Sequence, residues 1–192
     1  MRQGYWGWPE LSDPVHIPAW QRLSDEITTS GMPAERNLRD LMRAGVKHVL
    51  DLTPADHPEA LASEEHELRL LGLGYTRIPV PFEAPTEARY LAFVRGVECL
   101  PRPLHVHCVA NYRVSAFFYR YHLECGRNES EARALMSVNW EPETSSHPSA
   151  QPWAQFVSEA RLTCERRRKI VPTGSAETAA EITERTEETD AI

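Results

Sequence analysis

Long apolar runs are missing from this 192-residue chain. Nothing in it approaches the roughly 20 apolar residues needed to cross a bilayer, and Met1-Arg2-Gln3-Gly4-Tyr5-Trp6-Gly7-Trp8 lacks the apolar core of a secretory signal. No membrane partner is expected, and the expected compartment is the cytoplasm. Cysteine is sparse too. Cys99, Cys108, Cys125 and Cys164 sit at irregular spacings without a Cys-x-x-Cys pair, which points away from a disulfide framework or a zinc ribbon. Positive charge is not in excess: the formal net charge is -7, so no general attraction to nucleic acid is expected. Much of that charge is local, with six acids against two cations from Lys169 to Ile192. The body is only mildly acidic and can host a positive pocket for an anion. The run Glu165-Arg166-Arg167-Arg168-Lys169 reads as a solvated helix end that favours the helix dipole.

What is present suits a single globular domain, with 41% hydrophobic and 26% charged residues. Residues 1–17, rich in Trp, Pro and Gly, read as an irregular arm. Residues 18–168 read as the folded domain, and 169–192 as an acidic tail without large apolar residues that is expected to be disordered. Within the domain, Trp20 to Ser30 alternates around a polar Ser-Asp-Glu turn and predicts an antiparallel hairpin. Helical stripes are predicted over 33–44, 59–71, 86–100, 115–125, 129–138 and 150–168. Short apolar runs at Val46–Leu52, Tyr75–Val80 and Leu104–Cys108 lie between the earlier helices and predict strands. Strands recurring between helices give an α/β fold with a central, mostly parallel sheet flanked by helices, whose ligand sites form at the C-terminal strand ends.

The segment His105-Val106-His107-Cys108-Val109-Ala110-Asn111-Tyr112-Arg113-Val114-Ser115 lies at such an end. A strand, a cysteine, a short loop and a helix start together aim several backbone N–H groups at one point. That arrangement binds an anion and favours a thiolate. An arginine in the loop grips two oxygens of the anion at once.

This segment resembles the signature loop of protein tyrosine and dual-specificity phosphatases, His-Cys-(x)5-Arg-(Ser/Thr). Thr29-Ser30-Gly31-Met32-Pro33, Val49-Leu50-Asp51-Leu52 and Tyr75-Thr76-Arg77-Ile78-Pro79-Val80 fall in the order expected of small bacterial members, so the resemblance spans roughly residues 18–160. It implies the fold of that superfamily, at the size of a dual-specificity phosphatase. It also implies phosphate-monoester hydrolysis through a phosphocysteine at Cys108, without a metal or other cofactor. The expected partner is a phosphorylated protein or a small phosphate ester. His107 is implied as an orienter of the loop, and a hydroxyl such as that of Ser115 as a stabiliser of the departing thiolate.

Four residues, Val109, Ala110, Asn111 and Tyr112, separate Cys108 from Arg113, where the family has five. Two alignments follow. A loop one residue short makes Arg113 the clamp. A loop of full length puts Asn111 at the family's glycine position, keeps Ser115 in place and sets Val114 where the arginine belongs. Asn suits the first of those positions, since it tolerates the left-handed conformation. The short spacing also favours an alternative reading, a phosphatase-like module that binds phosphate or a phosphorylated partner without turnover.

In the family an aspartate on the loop after the preceding strand protonates the leaving oxygen. Here that loop reads Val80-Pro81-Phe82-Glu83-Ala84-Pro85-Thr86, so Glu83 is the candidate. Asp56, at another strand end, is a candidate accessory, with a turn or cap residue as its plainer role. His105 and His107 share one strand face and would suit a metal if further ligands joined them. A sheet histidine and a loop orienter account for them more simply, and no metal is expected. Cys99, Cys125 and Cys164 are assigned to packing.

Overall fold

The computed structural model describes residues 13–170, with side chains through residue 163. The first twelve residues of the expected arm lie outside the described residues. So do the tail beyond Ile170 and the side chains of Cys164 and of the basic run that follows it.

Among the described residues five strands form one sheet in the order β1-β2-β5-β3-β4. β1 (Gln21–Ser24) and β2 (Ile27–Ser30) make the predicted hairpin and pair antiparallel. β2, β5 (Leu104–His107), β3 (His48–Asp51) and β4 (Gly74–Arg77) then run parallel. The last rung aligns Ser30, His107, Asp51 and Arg77 across four strands. β5 is the central strand, so the residues after His107 emerge in the crevice at the middle of the sheet, where open α/β sheets place their ligands.

Strand alternation assigns the two faces. Leu50, Leu104, Val106 and Cys108 join the larger core with α3 (Glu87–Cys99), α4 (Tyr112–Glu124), α5 (Glu129–Ser137) and α6 (Gln151–Ile170). Val49 faces the other way, against Leu38 and Leu41 of α1 (Leu38–Arg43) and Leu68 of α2 (Glu64–Leu70). Asp51, His105 and His107 share that second face by the same alternation. Helices cover both sides, as the α/β pattern predicts. No helix among the described residues is long and apolar enough to cross a membrane. The expected domain end at residue 168 falls inside α6.

One boundary differs from expectation in a way that matters. α4 begins at Tyr112, three residues before the predicted start at Ser115. Asn111 ends the loop in a left-handed conformation (φ 64°, ψ 4°) and turns the chain directly into the helix. Tyr112, Arg113 and Val114, expected in the loop, thus form the first turn of the helix.

Candidate active site

The site is built on a short connection. β5 ends at His107, Cys108 follows, and only three further residues precede α4. The N–H groups of the first helical turn have no acceptor within the helix and face the loop end, which makes them an anion cradle. Asn111 fixes this corner from below. Its Nδ2 donates to the Ala19 carbonyl at 2.8 Å and to Thr29 Oγ1 at 3.0 Å, tying the loop to β2. Val109 is held as well: its carbonyl accepts from Met32 N–H at 2.9 Å. A Cβ on Gly31 would lie 2.8 Å from that carbonyl oxygen, so glycine lets the two backbones meet.

Asn111→Ala removes one buried and one partly buried hydrogen bond and places a less tolerant residue at positive φ. The expected loss is about 1–3 kcal/mol of unfolding free energy by urea titration, with Asn111→Gly losing less because it keeps the backbone unstrained.

The early helix start decides where the arginine goes. Successive helical residues point about 100° apart. Val114 is fully buried in the core, while Arg113 lines a cleft of about 330 Å³ together with Cys108, Val109, Ala110 and Tyr112. Asn111 thus behaves as the full-length alignment requires, yet Arg113, one residue before the expected position, reaches the cleft. Arg113 is only 3% exposed. Its guanidinium lies 5.3 Å from the centre of the Phe82 ring, and its Nε has no hydrogen-bond partner among the described residues. Phe82 is itself held by rings of Trp140, Trp153 and His147, and its carbonyl accepts from Trp153 Nε1 at 2.5 Å. Tyr112 stacks on Trp140 at 4.7 Å.

Of the residues assigned to the phosphate loop by sequence, His107, Asn111, Val114 and Ser115 do not line the cleft; Asn111 supports its corner and His107 faces the other side of the sheet. Val114 belongs to the core. Ser115 is not among the residues lining the cleft; its hydroxyl donates to the Tyr112 carbonyl at 3.0 Å and it borders a recess with Gln21 and Phe118. Both follow from the helix starting at 112. Glu83 is exposed and lines the cleft, while Asp56 borders an adjoining recess with Glu83 and Arg113.

His57, Glu59, Phe82 and His147 also line the cleft and were not anticipated. Nothing in the local sequence marks them, since each comes from a loop whose path is set by the strands. Both histidines accept at Nδ1, His57 from Glu59 N–H and His147 from Ser149 N–H, so in their neutral forms the proton sits on Nε2.

Behind Cys108, on the opposite face of the sheet, lies a buried charge cluster. His107 Nε2 is 2.9 Å from Glu64 Oε1, and its Nδ1 is 3.7 Å from Asp51 Oδ1. Arg77 Nε donates to Asp51 Oδ2 at 2.8 Å, and Tyr75 Oη donates to the same oxygen at 3.0 Å. Thr53 N–H donates to Asp51 Oδ1 at 2.7 Å. Burial works against the charged form of His107, but Glu64 and Asp51 outweigh it and raise its pKa. Burial likewise opposes ionisation of Asp51, and His107, the Thr53 N–H and Arg77 overcome it, so that its pKa is lowered. His105 differs: burial and the neighbouring His107 hold it well below the ordinary histidine range. It is a neutral sheet histidine, bonded to Thr28 and Ser30 at 3.0 Å each and stacked on Trp20.

Solved structures of similar fold are phosphatases and phosphatase candidates. A DUF442 phosphatase candidate from Shewanella putrefaciens CN-32 is 30% identical, matching 77% of this chain and 91% of its own with a TM-score of 0.64. The chain belongs to the superfamily of protein tyrosine phosphatase-like phosphatases. More distant members share the fold of this superfamily protein. A mutant form of Tk-PTP is 21% identical over 80% of this chain and 98% of its own, with a TM-score of 0.59. TpbA of P. aeruginosa, solved with phosphotyrosine, is 18% identical over 76% and 90%, with a TM-score of 0.57. No family profile and no curated protein matches the chain.

Proposed function

We propose that this superfamily member hydrolyses phosphate monoesters through a phosphocysteine at Cys108. The observation that carries the reading is Arg113: a buried guanidinium with an unpartnered Nε, in the same cleft as a cysteine at a helix N-terminus. A buried cation without a carboxylate is costly unless an anion joins it. In the first step the Cys108 thiolate attacks phosphorus, while Arg113 and the first-turn N–H groups hold the equatorial oxygens. The P–O bond to the leaving group breaks, and that oxygen takes a proton, for which Glu83 is the donor. Water then attacks phosphorus, releasing inorganic phosphate and the thiolate. No metal or cofactor is invoked. The aromatic walls formed by Phe82 and Tyr112 favour aryl esters. The TpbA complex supports phosphotyrosine, in a protein or as a small ester, as the substrate class.

A second reading has its own observation. Ser115, the hydroxyl expected to help thiolate departure, is turned to the Tyr112 carbonyl, which favours a module that binds phosphate or a phosphorylated partner without turning it over. Acid quenching of the wild-type chain with ³²P-labelled aryl phosphate separates the two. The hydrolytic reading expects label on Cys108, phosphate release on longer incubation, and neither in Cys108→Ser. Saturable phosphate binding with no label and no release establishes the binding module instead.

A further inference from the structure

Glu64 is an unusual acid. Leu68 of α2 and its flanking residues Leu61 and Leu71 pack on the smaller core, and position 64 continues their spacing of three and four residues. Its side chain is fully buried, as are those of Asp51 and His107. Arg77, one-quarter exposed, closes the group, with its Nη2 3.9 Å from Glu64. Burying ions costs several kcal/mol each unless they are mutually compensated. Two carboxylates and Arg77 leave one negative charge, and a proton on His107 cancels it. Neither ring nitrogen of His107 makes an aligned hydrogen bond, so charge rather than hydrogen-bond geometry binds it to Glu64.

We propose that Glu64 is a positioning residue for Cys108: with Asp51 it holds His107 as an imidazolium against the Cys108 backbone, and so keeps the neighbouring thiol reactive. The inference rests on Cys108 being the reactive thiol. It adds a component on the far side of the sheet from the cleft. The link is covalent and short. His107 immediately precedes Cys108, and the Cys108 backbone lies close enough to the ring to favour its charged form. The imidazolium is the member of this charge-balanced group that adjoins Cys108 in the chain, where it anchors the start of the loop, and a positive neighbour stabilises a thiolate. Among the described residues, the titratable groups around His107 come from four elements. Asp51 comes from β3, Glu64 from α2, and Arg77 and Tyr75 from β4. On its own strand is His105, whose ring lies 6.0 Å away and is neutral. The two carboxylates at 2.9 and 3.7 Å are the charged groups paired with the ring, and they outweigh its burial.

The test reads the thiol without requiring turnover. Iodoacetamide alkylation of Cys108 in the full-length protein, followed by mass spectrometry across pH, is compared for wild type, Glu64→Gln and the exposed control Glu65→Gln. Glu64→Gln keeps an acceptor and removes the charge. Its alkylation of Cys108 near pH 6.5 is expected to slow by about threefold or more, with the rates converging in alkaline solution and Glu65→Gln matching wild type. A folded Glu64→Gln protein with the wild-type alkylation profile overturns the proposal. Should that variant not fold, the wild-type His107 ring is read directly by ¹⁵N NMR. An imidazolium at neutral pH supports the proposal, and a neutral ring overturns it. A stoichiometric divalent metal in the purified chain, whose removal slows alkylation, also overturns it by replacing the proton. A slowed thiol in a protein that hydrolyses no phosphate upholds this inference while defeating the hydrolytic reading.

Discussion

Arg113→Ala is expected to lower kcat/KM for an aryl phosphate by about 10²–10³-fold, a loss typical of removing one preorganised group that stabilises transition-state charge. Arg113→Lys is expected to recover only part of it. A lysine offers a point charge in place of the planar fork, and it stacks less well on Phe82. The loss is predicted to fall mainly on kcat, because charge at the equatorial oxygens is held most tightly in the transition state. Steady-state kinetics with p-nitrophenyl phosphate gives both parameters. Equal activity in Arg113→Ala and wild type would remove Arg113 from the mechanism and with it the argument from its unpartnered Nε. Stability is expected to be little reduced, or even raised, since the substitution removes a buried charge that no carboxylate balances among the described residues.

The largest effect on stability is expected at Asp51. Asp51→Ala leaves His107 and Arg77 facing Glu64 alone, and breaking a buried ionic network from one side costs about 3–5 kcal/mol. Urea unfolding near pH 6 measures it. The pH dependence has two edges. The Asp51 pKa is lowered in the folded chain, so its contribution is complete above the ordinary carboxylate value near 3.9 and is lost as pH falls through the folded value. The His107 pKa is raised, so its contribution is complete below about 6.5 and is lost as pH rises through the folded value. A stability plateau between about pH 4 and 6.5 follows for this network, and in Asp51→Ala both edges are expected to flatten. An unchanged alkaline edge in Asp51→Ala would show that Asp51 does not support the His107 charge.

The sheet was legible because its signals are local. Alternation around Ser24-Asp25-Glu26 specifies the hairpin, and apolar runs flanked by Gly and Pro specify the parallel strands. The nucleophile position was legible because a His-Cys pair at a strand end is a dense motif. The orientation of Arg113 was not legible. It depends on where α4 begins, and that depends on Asn111 adopting positive φ under hydrogen bonds to Ala19 and Thr29, residues distant in sequence. Glu64 had a signal that went unread, since it interrupts an apolar stripe. Asp51 had the same one, a charge in the buried run Val49-Leu50-Asp51-Leu52. His57 and His147 had none, because loops from two ends of the chain bring them to the cleft.

The contact between Gly31 and Val109 carries a consequence for how such a loop can vary. Met32 N–H meets the Val109 carbonyl at a point where no side chain fits, so the hairpin and the cysteine loop share one hinge pin. Adding a residue between Cys108 and Arg113 to match the commoner spacing displaces that carbonyl, and the corner after β2 has to be rebuilt with it. Loop length and the Gly31 corner are therefore a single exchangeable cassette. Grafting a longer loop alone is expected to give a misfitted joint, whereas grafting both segments together keeps the pin.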